Sequence, residues 1–228
     1  FKTEHYEMVL KAGDMERAME KLAWHLEEPR VGQSYPNYYA AQLASKFVKV
    51  VLSGAGGDEL FRGYPWRYYR AVVNDSFEDY VDKYYGFWQR LVGDDDLNQM
   101  FAPIRADVEE VRTRDIFRDV FRHHEDALDN PEGYINHSLY FEAKTFLHGL
   151  LVVEDKLSMA HGLESRVPFL DNDLVDFAMR VPVRLKLNNL AEVARINENE
   201  AGDKPARFFR KTRDGKQILR DVMGRFIS

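Results

Sequence analysis

Apolar residues recur at helical spacing soon after the N-terminus. Met15, Ala18, Met19, Leu22 and Leu26 fall on one face, Asp14 stands where it can cap the helix, and Pro29 predicts its end. Ser34 can cap a second helix with Pro36 in its first turn, running through Tyr39, Leu43 and Ala44. Two runs depart from this period. His5–Leu10 (HYEMVL) is short and β-prone. Phe47–Leu52 (FVKVVL), rich in β-branched residues, reads as a buried central strand. It runs straight into Ser53-Gly54-Ala55-Gly56-Gly57-Asp58-Glu59. Helix, buried strand and glycine-rich loop in succession predict a parallel α/β sheet. In such sheets ligands sit at the carboxyl ends of the strands.

From about 64 to 145 the pattern changes to aromatics and charges at helical spacing, with few strand signals. Tyr80, Tyr84, Phe87, Trp88 and Leu91 form one set, and Ile116, Phe117, Val120 and Phe121 another. Helices are predicted over about 139–150 and around Val152–Ala160, and Gly162–Asp171 reads mostly as loop. Asp171 can cap a helix bearing Leu174, Val175, Phe177, Ala178 and Met179. Residues 186–215 are polar and weakly patterned. The expected organisation is an α/β part over 1–70, a helical region over 71–145 and a further helical part over 146–228.

Composition narrows the classes. Among 228 residues 45% are hydrophobic and 31% charged, as in an ordinary globular protein. The net charge of −6 argues against a nucleic-acid module. With no cysteine there is no disulfide framework, cysteine-based metal site or thiol nucleophile, which fits a reducing, cytoplasmic setting. No run approaches the length of a membrane span. The chain opens without Met or a signal-peptide layout, and a longer parent protein is expected.

Two clusters carry candidate chemistry. In the first, Gly54, Gly56 and Gly57 let the backbone turn and approach a ligand, successive N–H groups can form an anion nest, and Ser53 adds a hydroxyl. Asp58 follows, and a carboxylate beside phosphates commonly holds Mg²⁺. The spacing matches neither standard glycine fingerprint, so a tight turn after a strand stays an equal reading. The second cluster is Asp155, Lys156, Ser158, Glu164, Arg166 and Asp171, a mixture suited to phosphate and carboxylate or to a salt-bridged helix end. Arg112, Arg114, Arg118 and Arg122 read as a salt-bridged helix face. The adjacent His123 and His124 point apart and read as solvated rather than metal-binding.

The segment VVLSGAGGDELFRGYPWRYYRA (50–71) resembles the S-G-x-G-x-D-E-L-F-x-G-Y signature of the asparagine synthetase family. EDKLSMAHGLESRVPFLDNDLVDFAMRVP (154–182) is similar to its second signature, D-[KR]-x-S-M-A-x-x-x-E-x-R-x-P-F-L-D. The order is collinear. The resemblance implies an ATP-pyrophosphatase sheet of PP-loop, Rossmann-like type, truncated on its N-terminal side, with a largely helical remainder. It implies ATP and Mg²⁺ as cofactors and aspartate or a related carboxylate as substrate. Ammonia would come from a glutaminase domain outside this chain, a homodimer of the full-length protein is one option that the sequence leaves open, and neither nucleic acid nor membrane would be a partner. Carried over by position, Ser53, Gly54, Gly56, Gly57 and Asp155 would contact the nucleotide, and Asp58 would bind Mg²⁺. Lys156, Glu164 and Arg166 would serve the acyl-transfer pocket.

Three departures stand out. The family's S-G-G-x-D-S loop would precede Phe1 and its late R-x-K-x-x-F segment would follow Ser228, so activity of the isolated 228 residues is not expected. Ala55 stands where many members carry Glu or Asp. Alanine neither takes nor gives a proton, help typically worth ~10²–10⁴-fold. A different carboxylate acceptor and a catalytically inactive nucleotide-binding relative therefore remain as alternatives.

Overall fold

The computed structural model describes residues 3–28, 34–68, 74–89, 92–108, 111–123, 130–187 and 215–227. Pro29, Leu91, His124 and nearly all of the weakly patterned stretch from 186 to 215 lie outside the described residues. The elements run α1 Asp14–Leu26, α2 Ser34–Ala44, β1 Val50–Leu52, α3 Gly57–Phe61, α4 Pro65–Tyr68 and α5 Phe77–Trp88. Next come α6 Asp94–Met100, α7 Arg105–Val108, α8 Thr113–Asp119, α9 Pro131–Phe141, a π-turn at Glu142–Phe146 and α10 Leu147–Met159. The chain continues with β2 Glu164–Arg166, α11 Asn172–Arg180, α12 Val183–Lys186 and α13 Gln217–Met223. The described residues are mostly helical with a small parallel sheet, compatible with an α/β fold. No helix among the described residues is long and apolar enough to cross a membrane.

Two compact units divide the chain, residues 1–57 with 144–176 and residues 58–143 with 177–228. In the first unit, β1 pairs in parallel with β2, Val50 opposite Glu164 and Leu52 opposite Arg166. Ala18, Leu22 and Leu26 of α1, Tyr38 of α2, and Val153 and Leu157 of α10 make its core. Three residues of the predicted apolar face of α1 are thus in the core, whereas Met15 and Met19, expected on the same face, are half exposed at its edge.

The strand expectations need four corrections. His5–Leu10 forms no strand, because a strand needs a ladder partner and no described residue pairs with it. β1 starts only at Val50, since the N–H groups of Phe47 and Val48 still bond to Ala44 O at the end of α2. Nor is β1 buried, Leu52 being 77% exposed. Conversely, the polar run Glu164–Arg166, read as loop, is a strand because β1 supplies its partner. Asp171 caps as expected, Oδ1 accepting from Asp173 N at 3.1 Å and Leu174 N at 3.3 Å. Asp14 is instead the first helical residue of α1, behind Gly13.

In the second unit, Tyr80, Val81, Tyr84, Phe117, Phe121, Tyr134 and Phe141 form an aromatic core from α5, α8 and α9. Edge-to-face pairs such as Tyr80–Phe121, at 5.7 Å, dominate it. Arg114 binds Glu78 and Asp82, and Arg118 binds Glu78, so part of the basic stripe pairs with α5. A second set, Tyr68, Ile135, Leu139, Val183 and Leu187, packs α4, α9 and α12. Charges are buried beside it. Arg62, fully buried, donates to Asn136 Oδ1 at 2.8 Å while its Nε and Nη1 have no partner among the described residues, and burial draws its pKa down to about 10. Lys186 is also buried, and its pKa falls to about 8 for the same reason, with Arg62 adding repulsion.

Candidate functional site

Within the first unit the glycine loop and the second signature are held against each other. Ser53 N–H extends the β1–β2 pairing by donating to Arg166 O at 2.8 Å. The Ser53 hydroxyl turns back and accepts from Ala55 N–H at 3.2 Å, a local serine turn. Gly57 N–H then closes on Gly54 O at 3.2 Å. Gly56 has φ +88°, and a Cβ there would lie 2.4 Å from Leu170 Cδ2. A Cβ on Gly57 would come within 3.3 Å of the Phe169 ring. These two glycines are therefore accounted for by the 3₁₀ turn Pro168–Leu170 packing on the loop. Gly54 is different, since a Cβ there would meet nothing within 4 Å. Among the described residues nothing stands where a Gly54 side chain would project, so its backbone is open on that side.

Beside the loop lies a cavity of about 340 Å³, walled by Ala40, Ala41 and Ala44 of α2 and by Leu157 of α10. Its polar lining is Asn37, Ser53, Glu154, Ser158 and Ser165. The Ser165 hydroxyl bonds the Glu154 carboxylate. Sequence reasoning missed Glu154 and Ser165. Alternation along β2 would have separated Ser165 from its exposed neighbours, had β2 been recognised as a strand.

The other predicted residues are placed apart from this cavity's lining. Glu164 and Arg166 flank Ser165 on β2, are more than half exposed and pair with each other at 2.8 Å. Lys156 is committed elsewhere, donating to Leu26 O at 3.0 Å and Glu27 Oε2 at 2.7 Å. It closes the carboxyl end of α1, and its ammonium holds the Glu27 carboxyl below its ordinary value. Asp155 is exposed on α10.

In the second unit, Asp58 occupies the second position of α3 with its carboxylate laid over Gly63, whose Cβ would fall 1.5 Å from Oδ1. Glu59, Leu60 and Phe61 are buried beneath, and the Tyr64 hydroxyl donates to Glu59 Oε1 at 3.2 Å. Burial raises the Glu59 pKa. Asp58 Oδ1 meets Lys216 Nζ at 2.8 Å, a contact no local sequence signal announces. No group of three or more His, Asp or Glu among the described residues forms a metal cage. One partly exposed carboxylate nevertheless fits Mg²⁺, which is usually held by one or two carboxylates with water and phosphate oxygens.

A family model described as asparagine synthase matches residues 1–228. The chain belongs to the asparagine synthase family. A putative asparagine synthetase (glutamine-hydrolyzing) of Mycobacterium tuberculosis H37Rv is 30% identical over 80% of this chain and 32% of its own length. A Methanocaldococcus jannaschii protein, putative asparagine synthetase (glutamine-hydrolyzing) 2, is 33% identical over 63% of this chain and 25% of its own. Asparagine synthetase (glutamine-hydrolyzing) 1 of Bacillus subtilis is 28% identical over 82% of this chain and 33% of its own. The chain thus spans a quarter to a third of the length of these asparagine synthetase relatives.

Proposed function

We propose that this chain is the synthetase portion of a glutamine-dependent asparagine-forming ligase, built on a PP-loop sheet and working in the cytoplasm. The observation that carries this reading is the union of the two family signatures. Ser53 N–H bonds to Arg166 O, and Leu170 and Phe169 fill the space over Gly56 and Gly57. A chance match to either motif would give no reason for them to meet.

The chemistry is acyl activation. An aspartate side-chain carboxylate oxygen attacks the α-phosphorus of ATP and pyrophosphate leaves. Ammonia, released from glutamine in a domain outside this chain, attacks the acyl carbon. AMP then departs and a proton is lost. Ser53 and Gly54 present backbone to the nucleotide, with Gly56 and Gly57 shaping the loop. Asp58 would hold Mg²⁺, which would supply neutralisation of phosphate charge. Glu164 and Arg166 offer a paired acid and base at the end of β2, and the exposed Asp155 is open to the nucleotide. Lys156 acts by fixing α1 against α10 rather than by touching substrate.

The test is exchange of labelled pyrophosphate into ATP by the full-length protein with Mg²⁺ and aspartate. Exchange, with glutamine-dependent release of AMP and asparagine, is the expected result. Absence of exchange with any carboxylate offered would overturn the reading. Ala55 favours one alternative, a different acceptor, because its methyl group handles no proton and its N–H is spent on Ser53. Exchange with another carboxylate but not aspartate would select that alternative.

The loop assignment has its own check. Gly56→Ala forces a left-handed residue into Leu170 and should cost about 2–4 kcal/mol of stability. Gly54→Ala should leave the melting temperature unchanged yet weaken ATP binding at least about tenfold, a loss of ~1.4 kcal/mol. Calorimetry on both variants separates fold from ligand contact.

A further inference from the structure

The cavity beside the glycine loop holds a single ionisable side chain. Glu154 is the one lining residue that can carry a charge, among alanine, valine, leucine, serine and asparagine. No cation balances it there. Lys156 and Arg166, its near neighbours on α10 and β2, are bonded to Glu27 and Glu164 instead. The Ser165 hydroxyl donates to Glu154 Oε1 and so fixes the carboxylate between α10 and β2. Among the described residues Oε2 has no partner. The same lining carries Ser53, the first residue of the loop, whose hydroxyl accepts from Ala55 N–H at 3.2 Å. At about 340 Å³ the space is at the small end of ligand pockets, a size for the amino-acid part of an acyl-adenylate rather than for its nucleotide. An oriented carboxylate with one open oxygen, in a small pocket of otherwise uncharged groups, is placed to take a proton from what binds there.

We propose that Glu154 is the general base of amide formation and takes the proton that Ala55 cannot. The proposal rests on the ligase reading and names a proton acceptor for it. The ammonia lone pair attacks the acyl carbon, and the nitrogen then carries a surplus proton. Glu154 Oε2 accepts that proton. The bond between the acyl carbon and the AMP oxygen breaks, AMP departs with the electron pair, and Glu154 releases its proton to water. The preceding step, attack of the substrate carboxylate on ATP, transfers no proton and makes no demand on Glu154.

The full-length protein with ATP, Mg²⁺ and aspartate, and with ammonium chloride in place of glutamine, tests this. Glu154→Gln keeps the shape and an acceptor for the Ser165 hydroxyl. It should leave pyrophosphate–ATP exchange within about twofold of the parent, while amide formation falls about 10²–10⁴-fold. Hydroxylamine gives up its proton more readily than ammonia after attack, so hydroxamate formation by the same variant should fall much less. Amide formation unchanged in the variant overturns the proposal. An equal loss of exchange and amide formation also overturns it, and would assign Glu154 to carboxylate activation or to the tie between α10 and β2. An equal loss with ammonia and hydroxylamine removes the proton from its role. Failure of the parent itself to exchange is a different result, which overturns the ligase reading and this proposal with it.

Discussion

Replacing Asp58 by Asn in the full-length protein should lower pyrophosphate–ATP exchange by about 10³-fold, a loss of ~4 kcal/mol of transition-state stabilisation. Asparagine has nearly the shape of aspartate and, at the second position of α3, keeps the close seat over Gly63. What disappears is the charge proposed to hold the cation against phosphate. The melting temperature should hardly move, because the pair with Lys216 is partly exposed and such ion pairs contribute ~0–1 kcal/mol. Lys216 then keeps its backbone bond to Phe61 O but loses its counter-charge. Exchange within tenfold of the parent would remove Asp58 from the chemistry, and a large fall in melting temperature would assign it to the scaffold. Exchange kinetics and thermal melting of the same preparation give both answers.

Local signals were readable in the sequence and long-range ones were not. The cap at Asp171 and the apolar face of α1 depend on residues within a turn or two; the cap took the expected form, and Ala18, Leu22 and Leu26 of the face did while Met15 and Met19 stayed exposed. The aromatic periodicity of α5 likewise marked Tyr80 and Tyr84 as core. Strands are settled by partners. His5–Leu10 has the composition of one and no described partner, whereas Glu164–Arg166 has the composition of a loop and becomes a strand opposite Val50–Leu52. The candidate site divides the same way. The signature motifs marked Ser53 and Asp58, but Lys216 next to Asp58 and Ser165 bonded to Glu154 come from chain segments brought together only by folding. Lys156 likewise carries a contact that its motif does not announce, its ammonium bonding Leu26 O and Glu27 at the end of α1.

Glu142 illustrates a role hidden from sequence, and its replacement should have the largest effect on stability. By composition it is a helix-surface glutamate, yet it is wholly buried at the start of the π-turn. Tyr84 and Tyr68 donate to its two oxygens at 3.0 and 3.1 Å, and Arg67 Nη1 lies 3.6 Å away. Glu142→Ala leaves both buried hydroxyls without this acceptor and the guanidinium without this carboxylate. Breaking one partner out of a buried pair costs about 3–5 kcal/mol. The melting temperature should fall by roughly 6–20 °C at the 2–4 °C per kcal/mol of a domain this size. Glu142→Gln, which keeps a hydrogen-bond acceptor, should lose less. The pH dependence separates the two forces on Glu142. Burial raises its pKa from 4.5 to about 7, against the opposing pull of Arg67 and the two tyrosines. A carboxyl whose folded pKa is raised contributes fully below its unfolded value and loses that contribution as pH rises to the folded one. The stability of the parent relative to Glu142→Gln should therefore decline between pH 4.5 and 7. A rise over that interval would mean that attraction to Arg67 outweighs burial, and a flat profile would mean that Glu142 does not titrate there. Melting curves of the two proteins across this pH range decide among these outcomes.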